Sequence, residues 1–533
     1  MTHRPSRPDG FVWWRHGVIY QVYPRSFQDS NGDGVGDLAG VLSRLDYLAE
    51  LGVDALWLSP IFRSPMADFG YDVSDHVAID ALFGDMKTFR ALVDAAHAKG
   101  LKIILDYIPN HTSDRHPWFQ ESRSSRTNPR RDWYIWRDPA PLGGPPNNWR
   151  SEFGGPAWTW DEATGQYYYH AFLASQPDLN WRNPHVVEAM LNVLRFWFDR
   201  GVDGFRVDAI HHLIEAQDLA DNPANPEWSE DMAPTEKLRR DHTVDQPEVH
   251  EAIAAMRRVS EGYGDDRVLI GEAYLPIDRL MAYYGGAADG FHLPFNFHLM
   301  TVDWTPRAVA DLVAAYEAKL PAHGWPNWVL GNHDRSRLAS RLGPAQARVA
   351  AMLLLTLRGT PTLYQGDELG MTDVPIAPER VRDPFEINLP GRGLGRDPVR
   401  TPMPWDASPN AGFSTAEPWL PLGEDWRTRN VARQSADPAS ILNLYAALLR
   451  LRRAEPALAS AGYRLVAATD TLLAFERHQD GRRLLVALDL AGTGGALPVA
   501  GGETLLSTDG AASGPVSGML RLAPHQGLVV ALD

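Results

Sequence analysis

Residues 204–212, GFRVDAIHH, set a guanidinium and a carboxylate two positions apart, at Arg206 and Asp208. On a strand, side chains alternate between faces, so these two point the same way. A fixed positive charge beside a carboxylate favours its ionised form, the state a carboxylate nucleophile needs. Further polar residues stand at the ends of other apolar runs. Asp106, Asn110 and His111 close one, Glu272 another, and Asn332, His333 and Asp334 a third. Carboxylates aimed at one opening repel one another, and a fold tolerates them chiefly where a reaction uses their charge or their proton.

The elements that would carry these residues alternate along the chain. Eight apolar runs read as strands: GVIYQVYP, DALWLSP (54–60), LKIILDYIPNHT (101–112), GVDGFRVDA, RVLIGEAY (267–274), FHLPFNFHL (291–299), WPNWVLGNHD (325–334) and GTPTLYQGDELG (359–370). Each is followed by a helical pattern or a loop leading to one. In 183–201, for example, Val187, Met190, Leu191, Leu194 and Phe198 recur at the helical period. Eight such units predict a closed (β/α)8 TIM barrel, whose active site forms where strand C-termini and their loops converge. An open doubly wound sheet is disfavoured, because no GxGxxG turn follows the first strand.

The chain divides accordingly. Residues 1–112 and 181–460 form the barrel, 113–180 an inserted domain rich in Trp, Tyr, Pro and Gly, and 461–533 a C-terminal antiparallel β-sandwich. Residues 215–250 read as a second excursion over the barrel mouth, a candidate lid, and 371–435 as an irregular run after the eighth strand.

A chain of 533 residues, 44% hydrophobic and 22% charged, has a globular composition and length for two or three domains. Its formal charge of −16 disfavours nucleic acid or an anionic membrane as a partner. With no cysteine, disulfides, thiol catalysis and thiolate metal sites are excluded. Neither a run of about 18 apolar residues nor a signal-like N-terminal stretch is present, so no membrane span is expected and a cytoplasmic location is. No feature specifies an oligomeric state.

The segment DSNGDGVGDLAG, 29–40, spaces oxygen-bearing side chains at Asp29, Asn31, Asp33 and Asp37, with the Val35 carbonyl at its seventh position and Gly34 for the sharp turn. Hard oxygen donors suit Ca2+, or Mg2+. The twelfth position is Gly40 rather than a bidentate Glu, so this is a cation loop of another kind than the helix–loop–helix site, or a solvated acidic turn.

In this order and on these strands, DYIPNH, GFRVDAIHH, IGEAY and LGNHDR resemble the four signature regions of the alpha-amylase family, glycoside hydrolase family 13. QPDLNW, at 176–181, resembles the region that marks its oligo-1,6-glucosidase and alpha-glucosidase branch. Position by position, the resemblance implies that Asp208 is the nucleophile, Glu272 the general acid and base, and Asp334 the third carboxylate, which orients the sugar and stabilises the transition state. Such a retaining mechanism asks for a low pKa at Asp208, helped by Arg206, a raised one at Glu272, and carboxyl groups about 5–5.5 Å apart.

His111 and His333 match histidines that hydrogen-bond sugar hydroxyls. Asp68 and Tyr71 match residues that grip and stack on the terminal glucose, and Arg400, in RTPMPW, matches an arginine that helps close this pocket. Phe153 and Phe172 are expected as further walls or as core of the inserted domain. A pocket closed at one end implies exo action on disaccharides or short oligosaccharides. The 29–37 loop matches a structural cation site of this branch. At the residue after the nucleophile, the branch tends to Val for α-1,6 and Ala or Thr for α-1,4 bonds. Ala209 therefore biases the reading to maltose-type substrates, by an energy of order 1–3 kcal/mol.

Two alternatives share the scaffold: an oligo-1,6-glucosidase, or a transglucosylase or isomerase of the amylosucrase, sucrose isomerase or trehalose synthase type, in which a sugar hydroxyl captures the covalent intermediate. A non-catalytic transporter heavy chain or sugar-binding protein would lack the three carboxylates that this chain keeps.

Overall fold

The computed structural model describes residues 10–230, 232–459, 462–510 and 514–533. Eight parallel strands close into a barrel: β1 (Ile19–Val22), β2 (Ala55–Leu58), β3 (Lys102–Tyr107), β4 (Gly204–Val207), β5 (Val268–Gly271), β6 (Leu293–Asn296), β7 (Asn327–Val329) and β8 (Thr360–Tyr364). They hydrogen-bond in the order β1-β8-β7-β6-β5-β4-β3-β2 and back to β1. Each strand is shorter than the run that marks it, because the polar end of the run turns out of the ladder.

Two apolar layers hold the barrel. Ile19, Trp57, Ile104, Val268, Ile270, Phe295 and Val329 fill the interior. Their strand neighbours Tyr20, Leu56, Leu105, Phe205 and Leu269 pack outward in the main core. The inward series, continued by two residues past Ile104 and Ile270, arrives at Asp106 and Glu272; past Gly204 it arrives at Arg206 and then Asp208. The period of two thus decides which polar residues face the barrel mouth. Register aligns them, since Asp106 pairs with Arg206, and Arg206 with Ile270, across adjacent ladders.

Helix Pro184–Phe198 starts where Asn183 accepts the His185 N–H, and it buries Met190, Leu194 and Trp197. Val186 takes the core position expected of Val187, which is only half-buried. Between β3 and this helix lies the inserted domain, with helix Pro117–Ser124 and a three-stranded sheet ordered Trp136–Arg137, Gln166–Tyr169, Trp158–Asp161. Ile135, Trp149, Trp158 and Tyr169 form its own core. The excursion at 215–250 hangs from this domain. Trp149 Nε1 donates to Ala220 O (2.8 Å), Asn147 Nδ2 to Leu219 O (3.0 Å) and Asn148 Nδ2 to Asn222 O (2.8 Å).

The C-terminal strands, Gly462–Ala468 to Gly527–Leu532, form one six-stranded antiparallel sheet. Register shifts within Gly495–Ser507 accompany a sheet that folds over itself, so that Leu520 and Leu522 close over Leu472 and Leu485. The expected sandwich layering therefore comes from a single continuous sheet. Its other face, with Phe475, Val486 and Val529, joins the main core. Among the described residues no helix is long and apolar enough to cross a membrane.

Candidate active site

Arg206 is almost fully buried at the end of β4, 1% exposed, and three carboxylates share its guanidinium. Its Nη1 lies 2.7 Å from Asp106 Oδ1 and 2.6 Å from Asp208 Oδ1, and its Nη2 lies 2.6 Å from Glu272 Oε1. The other Glu272 oxygen accepts the Ala209 N–H at 2.9 Å. That N–H is presented by a left-handed turn at Ala209, φ 42°, which disfavours a branched side chain there. Asp208 and Glu272 therefore sit on the two terminal nitrogens of one guanidinium, with Asp106 behind Asp208.

A low pKa at Asp208 does not follow in this free cleft. Burial is the largest influence on it, and the charges of Glu272 and Asp106 add to burial against the pull of Arg206, so the carboxyl is held well above its usual range. The physical reason is that one guanidinium serves three acids. Burial likewise pushes Asp106 up to about 6, against Arg206.

Behind the acids a hydrogen-bonded relay fixes their surroundings. Gln21 Nε2 lies 2.8 Å from His333 Nδ1, His333 Nε2 lies 2.6 Å from the Tyr71 hydroxyl, and that hydroxyl donates to Asp106 Oδ2 at 3.1 Å. The amide donor on Nδ1 assigns the proton to Nε2. Burial keeps His333 neutral, well below its usual pKa. Tyr71 stacks on its ring at 5.5 Å with the planes 8° apart.

Asp334, beyond β7, takes 2.8 Å from Arg400 Nη2 and 3.5 Å from Arg396 Nη1. Burial works against its ionisation, but these guanidiniums, with the polar neighbour His333, hold it below the usual carboxylate range. At the end of the cleft, Arg396 Nη2 bridges Asp68 Oδ1 and Asp383 Oδ1, each at 2.7 Å. Asp68 also accepts from Gln176 Nε2 at 3.2 Å, and the same nitrogen lies 3.2 Å from His111 Nε2. The expectation for Arg400 is corrected here. That residue is fully buried behind Asp334, donating to His333 O at 2.9 Å, while Arg396 closes the end of the pocket. The short turn Asp397–Val399 separates the two and directs the latter into the interior.

The cleft has a volume of about 260 Å³, with Asp68, Tyr71, His111, Asp208, Glu272 and Asp334 among its walls. Phe153 and Phe172 also line it, Phe153 stacked at 4.1 Å on Phe385. Arg206, His333 and Arg400 support it from behind. Across the mouth, Glu152 of the inserted domain meets Arg240 of the 215–250 excursion at 2.8 Å. Reading the sequence missed Arg396, Phe385, Glu152 and Arg240. Glu152, Arg240 and Arg396 lie in irregular stretches and Phe385 in the five-residue helix Pro384–Asn388, too short for a period to say which way a side chain points.

The acidic loop stands apart from the cleft walls and is wound by its own turns. Asp29 accepts the amides of Asn31 (2.9 Å), Gly32 (2.7 Å) and Gly34 (2.9 Å), Asn31 that of Asp33 (2.9 Å), and Asp33 that of Val35 (2.8 Å). Asp37 caps the helix Leu38–Ser43 and also accepts from Ser30, while Asp29 accepts the Ser414 hydroxyl besides its three amides. Among the described residues no three acidic or histidine side chains converge to hold a metal by themselves. An ion at this loop would therefore draw on the Asn31 amide oxygen and the Val35 carbonyl as well.

Residues 21–461 match the family described as alpha amylase, catalytic domain. A probable alpha-glucosidase of Rhizobium meliloti is 43% identical over 494 residues, which cover 90% of this chain and 89% of that one. An oligo-1,6-glucosidase of Parageobacillus thermoglucosidasius is 39% identical, covering 86% and 87%. Among solved structures, an alpha-glucosyl transfer enzyme superposes with a TM-score of 0.92 at 41% identity, over 98% of this chain and 100% of that one. An isomaltulose synthase of Erwinia rhapontici gives 0.89 at 32%, over 99% and 100%.

Proposed function

The chain belongs to the alpha-amylase family and is a glycoside hydrolase, and on that premise we propose that it is a retaining, exo-acting α-glucosidase that releases glucose from the non-reducing end of short α-glucosides. The observation that carries the mechanism is the shared guanidinium. Two carboxyls on the two terminal nitrogens of one guanidinium support the close setting that double displacement uses, whereas an inverting enzyme holds its carboxyls roughly 6.5–9.5 Å apart to admit a water.

Three acids and one guanidinium carry a net charge of −2 when all are ionised, and one proton in the cluster reduces this to −1. Glu272, in its protonated form, gives a proton to the leaving oxygen while Asp208, ionised, attacks the anomeric carbon. Water, deprotonated by Glu272, then releases the sugar from Asp208. Asp334, held ionised by Arg400 and Arg396, faces the positive charge that develops on the ring.

Exo action is supported by the closed end, where Arg396 and Asp68 seal a hollow of about 260 Å³, smaller than the roughly 300–1,000 Å³ of sites for larger ligands. Arg396→Met should lower kcat/KM for maltose about 100-fold, roughly 2–3 kcal/mol of lost charged hydrogen bonding, mostly through KM. An unchanged KM would remove Arg396 from the glucose-binding wall.

An α-1,4 preference is supported by Ala209, small and left-handed at the cleft. Product identification on maltose, isomaltose, sucrose and trehalose tests this. Glucose from maltose as the dominant reaction is expected, whereas an isomer of sucrose as the main product would favour the isomerase reading that the isomaltulose synthase likeness keeps open.

A structural calcium ion, or magnesium in its place, at Asp29, Asn31, Asp33, Asp37 and the Val35 carbonyl fits the donor chemistry. Burial opposes ionisation of Asp29, but the Ser414 hydroxyl and three backbone amides pull its pKa below the usual range, as a ligand needs. The ion would staple the loop to the 412–419 segment, against whose Glu417 carbonyl Gly34 packs. Chelation should lower the melting temperature, calcium should restore it, and activity at 25 °C should barely change; a melting temperature indifferent to both would exclude the ion.

A further inference from the structure

The relay that ends on Asp106 begins at Gln21, a fully buried amide on β1. Gln21 stands two residues past Ile19, and Ser59 two past Trp57, so both continue the inward series of their strands toward the barrel mouth. The Gln21 Nε2 donates to Ser59 Oγ at 3.1 Å and lies 2.8 Å from His333 Nδ1. Both of its hydrogens thus have partners, and of this side chain only Oε1 has none among the described residues. The reversed amide would instead strand two buried N–H hydrogens, the costlier defect.

Each link then has one direction. Because Nδ1 accepts from the amide, the neutral imidazole carries its proton on Nε2. That nitrogen lies 2.6 Å from the Tyr71 hydroxyl and 3.4 Å from Asp334 Oδ2, an acceptor that suits the same tautomer. Tyr71 has a single hydroxyl proton, and since His333 offers it a donor rather than a lone pair, that proton goes to Asp106 Oδ2, 3.1 Å away. The other donor to this oxygen, Trp57 Nε1, is longer at 3.3 Å. With the imidazole proton on Nδ1, Tyr71 would turn to Nε2 and Asp106 would lose its nearer donor on that side.

We infer that Gln21, which is not among the cleft walls, is a positioning residue for the acids: by donating to His333 Nδ1 it sets the direction of the relay, so that the Tyr71 hydroxyl donates to Asp106 and favours that carboxyl as an ionised member of the cluster. This rests on the glucosidase reading, in which Glu272 is protonated and Asp208 ionised. A proton on Asp106 would sit where no reacting atom can use it. Asp106 faces Arg206, Glu272, Asp208 and Tyr71. Burial already pushes it up to about 6, against Arg206, and loss of the Tyr71 bond raises it further.

A neutron map of the perdeuterated wild type and the pH profile of Gln21→Met test it. The map should place a deuteron on His333 Nε2, none on Nδ1, and the Tyr71 deuteron toward Asp106; a deuteron on Nδ1 overturns the inference. Gln21→Met, similar in length, offers no donor and leaves His333 free to take either tautomer. Its kcat/KM for maltose is expected to fall about tenfold, and the acidic limb of its pH profile to move up by about one unit, the effect of one net hydrogen bond to a charged group. An unmoved limb, whatever the activity, means that Gln21 only packs and likewise overturns the inference. Should Gln21→Met not fold, the map alone decides. A wild type that leaves maltose and every other α-glucoside intact would strike the glucosidase reading, whereas the map would still report the direction of the relay.

Discussion

Asp208→Asn should reduce kcat on an aryl α-glucoside by roughly 10⁴-fold or more, because the amide cannot form the glycosyl ester. The loss should come without damage to the fold. Burial holds the Asp208 carboxyl well above its usual pKa, so an ionised aspartate there is a cost to the native state, and a neutral group of the same shape relieves it. The melting temperature is therefore expected to equal or exceed that of wild type. Activity lost together with a collapsed melting temperature would mark Asp208 as structural, and near-normal activity would remove it from the mechanism.

The second large effect concerns the residue that holds the acids together. Arg206→Met strands Asp106, Asp208 and Glu272 around a buried thioether, and removing one partner of a buried ion pair costs about 3–5 kcal/mol. The penalty should depend on pH, with a definite sign. Asp106 has a folded pKa raised from 3.8 to about 6, so the stability it contributes is full at low pH and lost as pH rises through about 6. Without the guanidinium that pulls it down, its folded pKa rises further. The variant's melting deficit is therefore expected to be greatest at pH 7–8 and to shrink toward pH 4–5, where the acids can hold protons. A deficit independent of pH would mean that Arg206 acts through packing rather than charge.

The barrel was legible in the sequence because its strands are buried on both faces and read as apolar runs, and because on the third, fourth and fifth strands the polar residue ending the run continues the inward series. Ile104 leads to Asp106 and Ile270 to Glu272 by the same step of two. What lay in irregular chain was not legible. Arg396 and Arg400 stand four residues apart in one Gly- and Pro-rich run, and only the turn between them decides that the first reaches Asp68 while the second is buried. Spacing placed Arg206 beside Asp208 but could not reveal that Asp106 and Glu272 share the same guanidinium, and so it gave the wrong direction for the pKa of Asp208. Contacts between distant loops, such as Glu152 with Arg240, leave no local pattern.

The central claim, that Asp208 and Glu272 act as a close-set pair in double displacement, is tested most directly by proton NMR of the first-formed sugar during hydrolysis of an α-glucoside. The account predicts that α-glucose appears first and only later mutarotates. If β-glucose were the initial product, water would have attacked directly, and the assignment of Asp208 as nucleophile would be contradicted.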